Sequence, residues 1–201
     1  MRITGGSLRS RALRAPRGTA TRPTSDRVRE ALFGILGSMG ALPGARVLDL
    51  YAGTGALALE ALSRGASEAV LVESSREALA AARANVAALG VEGAARVLAC
   101  DAREVPRRLA GSAPFDVVFA DPPWALVDTG DAPRVLAAVV AAGLVAARGL
   151  VVLEHAARSA VPVLDGLDTT QTRRYGDTAL TFYKPAILAQ PRVDLPGTTS
   201  E

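Results

Sequence analysis

The 201-residue chain holds one cysteine, one histidine, one tryptophan and one lysine, and only 4% of it is aromatic. Cys100 has no partner for an intramolecular disulfide and reads as a small buried hydrophobe at a strand end. A single histidine, His155, leaves no Cys/His/Asp cluster at metal-ligand spacing, and it has no visible nucleophile to serve. It follows Glu154 at a strand end and reads as structural. No apolar run reaches the roughly 18 residues of a membrane span. The N-terminus shows no apolar signal-peptide core. These absences imply a cytoplasmic protein without a metal or membrane partner, expected to be a monomer.

What is present is a large apolar fraction, 49%, with abundant alanine. That suffices for one domain with a full core. The net charge is +3, but it is unevenly spread. Residues 1–30 carry eight arginines against Asp26 and Glu30, or +6, leaving −3 for the rest. A basic arm on a mildly acidic body is the footprint of a polyanion partner. Arginine also suits bidentate phosphate contact. Arg9, Arg11, Arg22, Thr24, Arg27 and Arg29 are therefore the candidate nucleic-acid contacts.

Residues 1–16 alternate around Ile3, Leu8 and Leu13 and predict a small hairpin or extended arm turning at Gly5-Gly6. Thr24 or Ser25 is placed to cap a helix that buries Val28, Leu32, Ile35 and Leu36. From Arg46 strands and helices alternate. Strands are expected at 47–50, 69–73, 96–100, 115–120 and 149–154. Helices are expected at 56–63, 76–89, near 104–109 and at 133–142. Continuous apolar strands separated by helices predict a mostly parallel sheet covered on both faces, an α/β fold. Residues 169–175 and 179–183, joined at Gly176-Asp177, predict a closing antiparallel hairpin. The expected division is a basic arm over 1–23, a main domain over 24–184 and a disordered Pro-, Gly- and Thr-rich tail over 185–201.

Two strand-end motifs carry the chemistry. Asp49-Leu50-Tyr51-Ala52-Gly53-Thr54-Gly55-Ala56 runs from the first parallel strand into a helix. Its glycines allow a tight turn and close approach of a ligand to the backbone. Glu73, ending the next strand, is placed to accept the hydroxyls of a ribose. Asp101, ending the third, or the neighbouring Ala102 amide, is placed to read an adenine edge. Gly53, Gly55 and Ala58 also fit a dinucleotide loop, so this motif alone does not separate NAD from S-adenosylmethionine. The second motif decides. Asp121-Pro122-Pro123-Trp124 ends the fourth strand with a carboxylate, carbonyls uncompeted by proline N–H groups, and a stacking surface. That cup fits a planar exocyclic amine on a nucleobase and has no use in hydride transfer.

Several further groups have plain readings. Asp116 reads as a strand-edge residue, and Arg107-Arg108 as a solvated helix face. Tyr175 could pack in the hairpin or line the base pocket.

The same residues carry a family resemblance. Ile3-Thr4-Gly5-Gly6, the run from Thr21-Arg22-Pro23-Thr24 to Phe33, the loop Leu48 to Leu57, Leu59 to Ala66, Phe119 to Trp124 and Tyr175-Gly176-Asp177-Thr178 resemble the bacterial small-subunit (16S) rRNA guanine-N2 methyltransferases. The resemblance spans residues 1–184. It implies a Rossmann-like fold, a seven-stranded sheet, S-adenosylmethionine as cofactor, and small-subunit rRNA or its assembly particle as partner. It implies that Asp121, Pro122, Pro123 and Trp124 meet the reacting amine. The family usually has Tyr or Phe where this chain has Trp124, and an Asp-Pro-Pro-Trp cup is familiar from adenine-N6 methyltransferases. Adenine-N6 methylation therefore stays as an alternative. So does a non-catalytic protein that binds S-adenosylmethionine and RNA.

Overall fold

The computed structural model describes residues 1–15 and 26–186. Helix α1 (Asp26–Ser38) precedes β1 (Arg46–Leu50), α2 (Ala56–Ser63), β2 (Glu68–Glu73), α3 (Arg76–Leu89) and β3 (Ala95–Ala99). A 3₁₀ turn (Ala102–Glu104) and α4 (Val105–Arg108) lead to β4 (Phe115–Ala120), α5 (Trp124–Asp128), α6 (Asp131–Ala141) and β5 (Val145–Ala156). The hairpin β6 (Leu167–Tyr175) and β7 (Thr178–Pro185) closes the fold.

The seven strands lie in the order β3-β2-β1-β4-β5-β7-β6. The first five pair in parallel, and β7 runs antiparallel to both β5 and β6. Alternation along the strands divides the core in two. Val47, Leu71, Val117, Phe119 and Val152 face α1, α2 and α3. Leu48, Leu50, Val70, Val118 and Leu153 face α4, α5 and α6. The expected Rossmann-like sheet, with helices on both faces and a terminal hairpin, is thus present.

Two departures come from tertiary context. Strand β5 begins at Val145, earlier than its apolar run at Gly149, because Val145 pairs with Phe115 beyond a bulge in which β5 carries the extra residues. The one-turn helix α5 follows Pro123 directly, with no side-chain cap to announce it.

The N-terminal segment forms the expected hairpin but is seated in the body. Ile3 donates to the Arg11 carbonyl at 3.0 Å, and Leu13 to the Met1 carbonyl at 3.0 Å. Ile3 and Leu13 are both buried in the core. The fully buried Glu60 of α2 holds the segment, accepting from Thr4 N at 2.7 Å, Thr4 Oγ1 at 2.8 Å and Gly5 N at 2.8 Å. Gly6 rests on α2 so closely that a Cβ there would lie 1.8 Å from the Ser63 carbonyl oxygen. Only glycine fits that approach.

Arg29 corrects the sequence reading. It is 0% exposed and no nucleic-acid contact. Its guanidinium donates to the Arg2 carbonyl and to Asp26 Oδ1, and lies 3.7 Å from Glu60 Oε2. A basic side chain enters the core here because Glu60, already inside, needs a counter-charge. Arg9, Arg11 and Arg27 are exposed, and Arg11 donates to the Ala88 carbonyl at 2.9 Å. Arg22 and Thr24, and the cap expected at Thr24 or Ser25, lie outside the described residues.

Candidate active site

Strand order reverses between β1 and β4. Chain connections leave β1 toward β2 on one side, and β4 sits on the other. The C-terminal ends of strands at such a point frame a crevice. Here the crevice is a cleft of about 980 Å³. It is lined by Asp49, Tyr51, Ala52, Gly53, Thr54 and Ala56 from the β1–α2 loop, Glu73 from β2, and Asp101 and Ala102 after β3. The whole Asp121-Pro122-Pro123-Trp124 cup after β4 lines it too. Gly55 lies behind the wall, at φ 82° with Leu71 Cδ2 only 2.5 Å from where a Cβ would stand. The structure therefore gathers both sequence motifs into one space.

The β1–α2 loop is tied down from two directions. Glu73 Oε2 accepts from Gly53 N at 2.8 Å, while its Oε1 accepts from Ser74 N at 2.8 Å and Ser75 N at 2.7 Å. Asn85 of α3, also buried, donates to the Thr54 carbonyl at 3.0 Å. The same amide pairs with Arg14, accepting from its N–H at 2.7 Å and donating to its carbonyl at 3.1 Å. The N-terminal segment and the loop thus share one side chain. Met1 and Ala15 complete a wall of the cleft.

Asp49 is 1% exposed. Its Oδ2 accepts from Ala58 N at 3.1 Å, but its buried Oδ1 has no partner among the described residues. Burial pushes its carboxyl up to about 8; the Ala58 N–H opposes this, and the nearby negative charges of Asp121 and Glu73 add to it. An orphaned buried oxygen beside a loop of backbone amides fits a ligand that brings a donor or positive charge. Asp101 is the opposite case. Hydrogen bonds from Arg103, through Nε at 2.9 Å, Nη2 at 2.8 Å and its own N–H at 2.9 Å, hold its carboxyl down at about 2. Tyr51 sits at φ 61°, uncommon for a non-glycine residue, and burial raises its hydroxyl to about 12.

In the cup, Pro122 is buried and Trp124 half-buried. The Pro123 carbonyl accepts from Leu126 N at 2.8 Å. The Arg158 guanidinium stands 6.0 Å from the Trp124 ring centroid. Sequence reasoning gave Glu154 no role, yet it lines the cleft and is nearly buried. Its signal was available, because Glu73, Asp101, Asp121 and Glu154 are all acidic residues at the ends of parallel strands.

The remaining groups lie elsewhere. The buried His155 bonds the Ala156 carbonyl through Nδ1 at 3.0 Å and the Thr181 hydroxyl through Nε2 at 2.8 Å. Those partners make Nδ1 the protonated nitrogen, and burial lowers the pKa of the ring. Cys100 is buried beside the cleft. Tyr175 packs against the core cluster that contains Ile3 and is not part of the cleft lining. Asp116 accepts from Arg46 N at 2.9 Å, and Arg107 and Arg108 form exposed pairs with Glu104. Among the described residues no acidic, histidine and cysteine cluster could hold a metal, and no helix is long and apolar enough to cross a membrane.

Comparison with known proteins agrees with this geometry. A family described as "Conserved hypothetical protein 95" matches residues 1–184. The "Putative rRNA methyltransferase YlbH" of Bacillus subtilis is 33% identical over 187 residues, covering 92% of this chain and 98% of that protein. The "Ribosomal RNA small subunit methyltransferase D" of Escherichia coli is 42% identical over 124 residues, 62% of this chain and 60% of that protein. Among solved structures, a hypothetical protein of Thermus thermophilus superposes with a TM-score of 0.78 at 37% identity, covering 92% of this chain and 99% of that one. The fold is also shared with a magnesium protoporphyrin IX methyltransferase of Synechocystis solved with bound S-adenosylmethionine, at a TM-score of 0.61 and 16% identity over 80% of this chain and 79% of that one. The chain belongs to the family described as "Conserved hypothetical protein 95", a bacterial family of S-adenosylmethionine-dependent methyltransferases.

Proposed function

We propose that this protein methylates the exocyclic N2 amine of a guanine in small-subunit rRNA, as free RNA or within an assembling particle. One observation carries the reading. The Asp121-Pro122-Pro123-Trp124 cup opens into the same cleft as the Gly53–Gly55 loop, from the neighbouring strand. A methyl donor held by the loop and an amine held by the cup are then adjacent.

S-adenosylmethionine supplies an electrophilic sulfonium methyl when bound. The Gly loop and Asp49 would hold it from β1, Glu73 would take its ribose hydroxyls, and the 101–102 turn would meet its adenine. Glu73 Oε2, which accepts from Gly53 N, retains acceptor capacity for that contact, whereas Oε1 is taken up by Ser74 N and Ser75 N. The guanine N2 lone pair is delocalised into the ring, so the amine is a poor nucleophile. Asp121 and the Pro122 carbonyl accept its N–H groups, favour a pyramidal nitrogen and stabilise its growing positive charge. The Pro123 carbonyl is engaged by Leu126 N, which supports Pro122 as the backbone acceptor. Trp124 stacks on a base turned out of its helix. Holding amine and methyl in line supplies much of the remaining acceleration. Asp121 takes the proton only as the N–C bond forms, so it need not be a strong base beforehand.

Trp124 favours a second reading, adenine-N6 methylation. Labelled S-adenosylmethionine with small-subunit RNA or particles, followed by nucleoside analysis, separates N2-methylguanosine from N6-methyladenosine. Asp121→Ala is expected to remove most turnover while cofactor affinity stays within a few-fold. Full activity in that variant would sink the mechanism.

A further inference from the structure

We propose that Glu154 is the residue that selects guanine, by accepting the N1–H of the target base while Asp121 and Pro122 accept its N2 amine. The proposal rests on the guanine-N2 reading above. The last paired couple between β4 and β5 is Ala120 with Leu153, and Asp121 and Glu154 are the residues that follow it on the two strands. Neighbouring strands lie about 4.8 Å apart, and residues at one level of a sheet share a face. Both carboxylates line the cleft, and Glu154 is only 8% exposed. The next residue, His155, is bonded to Thr181 and the Ala156 carbonyl.

The chemistry of the bases gives this placement its meaning. The Watson–Crick edge of guanine offers two adjacent donors, N1–H and the N2 amine, to a pair of neighbouring acceptors. Adenine offers its amine beside an N1 that carries a lone pair. A carboxylate facing that N1 meets another acceptor, and neither group is satisfied. Sites built around a hydrogen bond reject analogues that lack it far more strongly than apolar pockets reject a missing methylene. The aromatic platform of Trp124 is indifferent here, because every base has a stacking face. Discrimination is thereby assigned to β5, and the unusual tryptophan no longer bears on base choice.

The test uses the full chain and a small-subunit rRNA fragment bearing the guanine that the wild-type protein methylates. A second fragment carries 2-aminopurine at that position, which keeps the 2-amino group and lacks N1–H. Wild-type protein should prefer guanine in kcat/KM by about 10- to 150-fold, the worth of one hydrogen bond to a charged group. Glu154→Gln should bring that ratio toward one, because the glutamine amide both accepts weakly from guanine N1–H and donates to the N1 of 2-aminopurine. The fluorescence of 2-aminopurine gives a binding readout without turnover, and Glu154→Gln should bind that fragment more tightly than wild type does. Glu154→Ala, which adds no donor, should narrow the ratio through lost guanine turnover alone, and it decides the matter if the glutamine variant does not fold. A wild-type ratio near one, or a ratio unmoved in the variants, overturns the role of Glu154 while leaving guanine methylation in place. Recovery of only N6-methyladenosine from wild-type protein overturns both readings together.

Discussion

Replacing Glu60 with alanine should unseat the N-terminal segment. The side chain is fully buried and accepts from Thr4 N, Thr4 Oγ1 and Gly5 N, and from Arg64 Nε at 2.8 Å. It is also the buried carboxylate nearest Arg29, itself 0% exposed. Alanine would leave that guanidinium inside with Asp26, a carboxylate that is half in solvent, as its remaining acidic partner. Breaking a buried pair from one side costs about 3–5 kcal/mol. In a domain of this size each kcal/mol lowers Tm by about 2–4 °C, so a fall of about 6–20 °C is expected. Urea titration followed by circular dichroism measures the free energy directly, and calorimetry gives Tm. The double variant Glu60→Gln, Arg29→Met should lose less than the sum of its single variants, because the charge stranded by either change alone is gone. A Glu60→Ala protein within about 1 kcal/mol of wild type, the range typical of solvent-exposed ion pairs, would refute the reasoning.

The remaining predictions concern the cleft. Asp49 should make the unliganded protein less stable as pH rises. Its carboxyl is raised from 3.8 to about 8, so stability is full below the unfolded value and is lost progressively as pH climbs through about 8. Asp49→Asn should narrow the difference between melting temperatures at about pH 5 and about pH 8; an unchanged difference would contradict the assignment. Glu73→Ala should weaken S-adenosylmethionine binding by about 1.5–3 kcal/mol in calorimetry, and wild-type protein should bind S-adenosylmethionine in preference to NAD. Asn85→Ala should loosen both the Thr54 carbonyl and Arg14, so hydrogen exchange should quicken in the β1–α2 loop and the N-terminal segment together. Faster exchange in only one of them would show that they are not linked through this side chain.

Much of this was readable from the chain, for reasons that differ by element. Strands β1, β2 and β4 were legible because parallel strands buried on both faces are written as apolar runs, interrupted here only by Asp49 within β1 and Asp116 within β4. Helix α3 was legible through its end, where Gly90 closes it at φ 68°. The Gly loop and the cup were legible because strand-end motifs are local. Arg29 was not. In sequence it is one more arginine of a basic stretch, and its burial depends on Glu60, 31 positions away, and on Arg2, 27 positions away. Ile3 and Leu13 raised the same difficulty, since alternation predicts a hairpin without saying whether the hairpin lies against a body. Glu154 was overlooked although the expected strand ended on it, because its place relative to Asp121 depends on the pairing of β4 with β5, which ends at Ala120 with Leu153.

The reversal of strand order between β1 and β4 has a consequence for how such a protein can change. In the proposed reading, the strand-end residues that grip the methyl donor arise from one half of the sheet, from β1, β2 and β3, and those that grip the acceptor from the other, at the ends of β4 and β5. The halves meet along one seam, the β1–β4 pairing from Val47–Val117 to Leu50–Ala120. Its paired side chains are apolar apart from Asp49, so an exchange of residues at the acceptor end disturbs few partners across it. Acceptor preference can then drift by a few substitutions while the donor half stays fixed. A designer seeking a new target base has correspondingly little to rebuild: two strand ends, with the rest of the machine left as it stands.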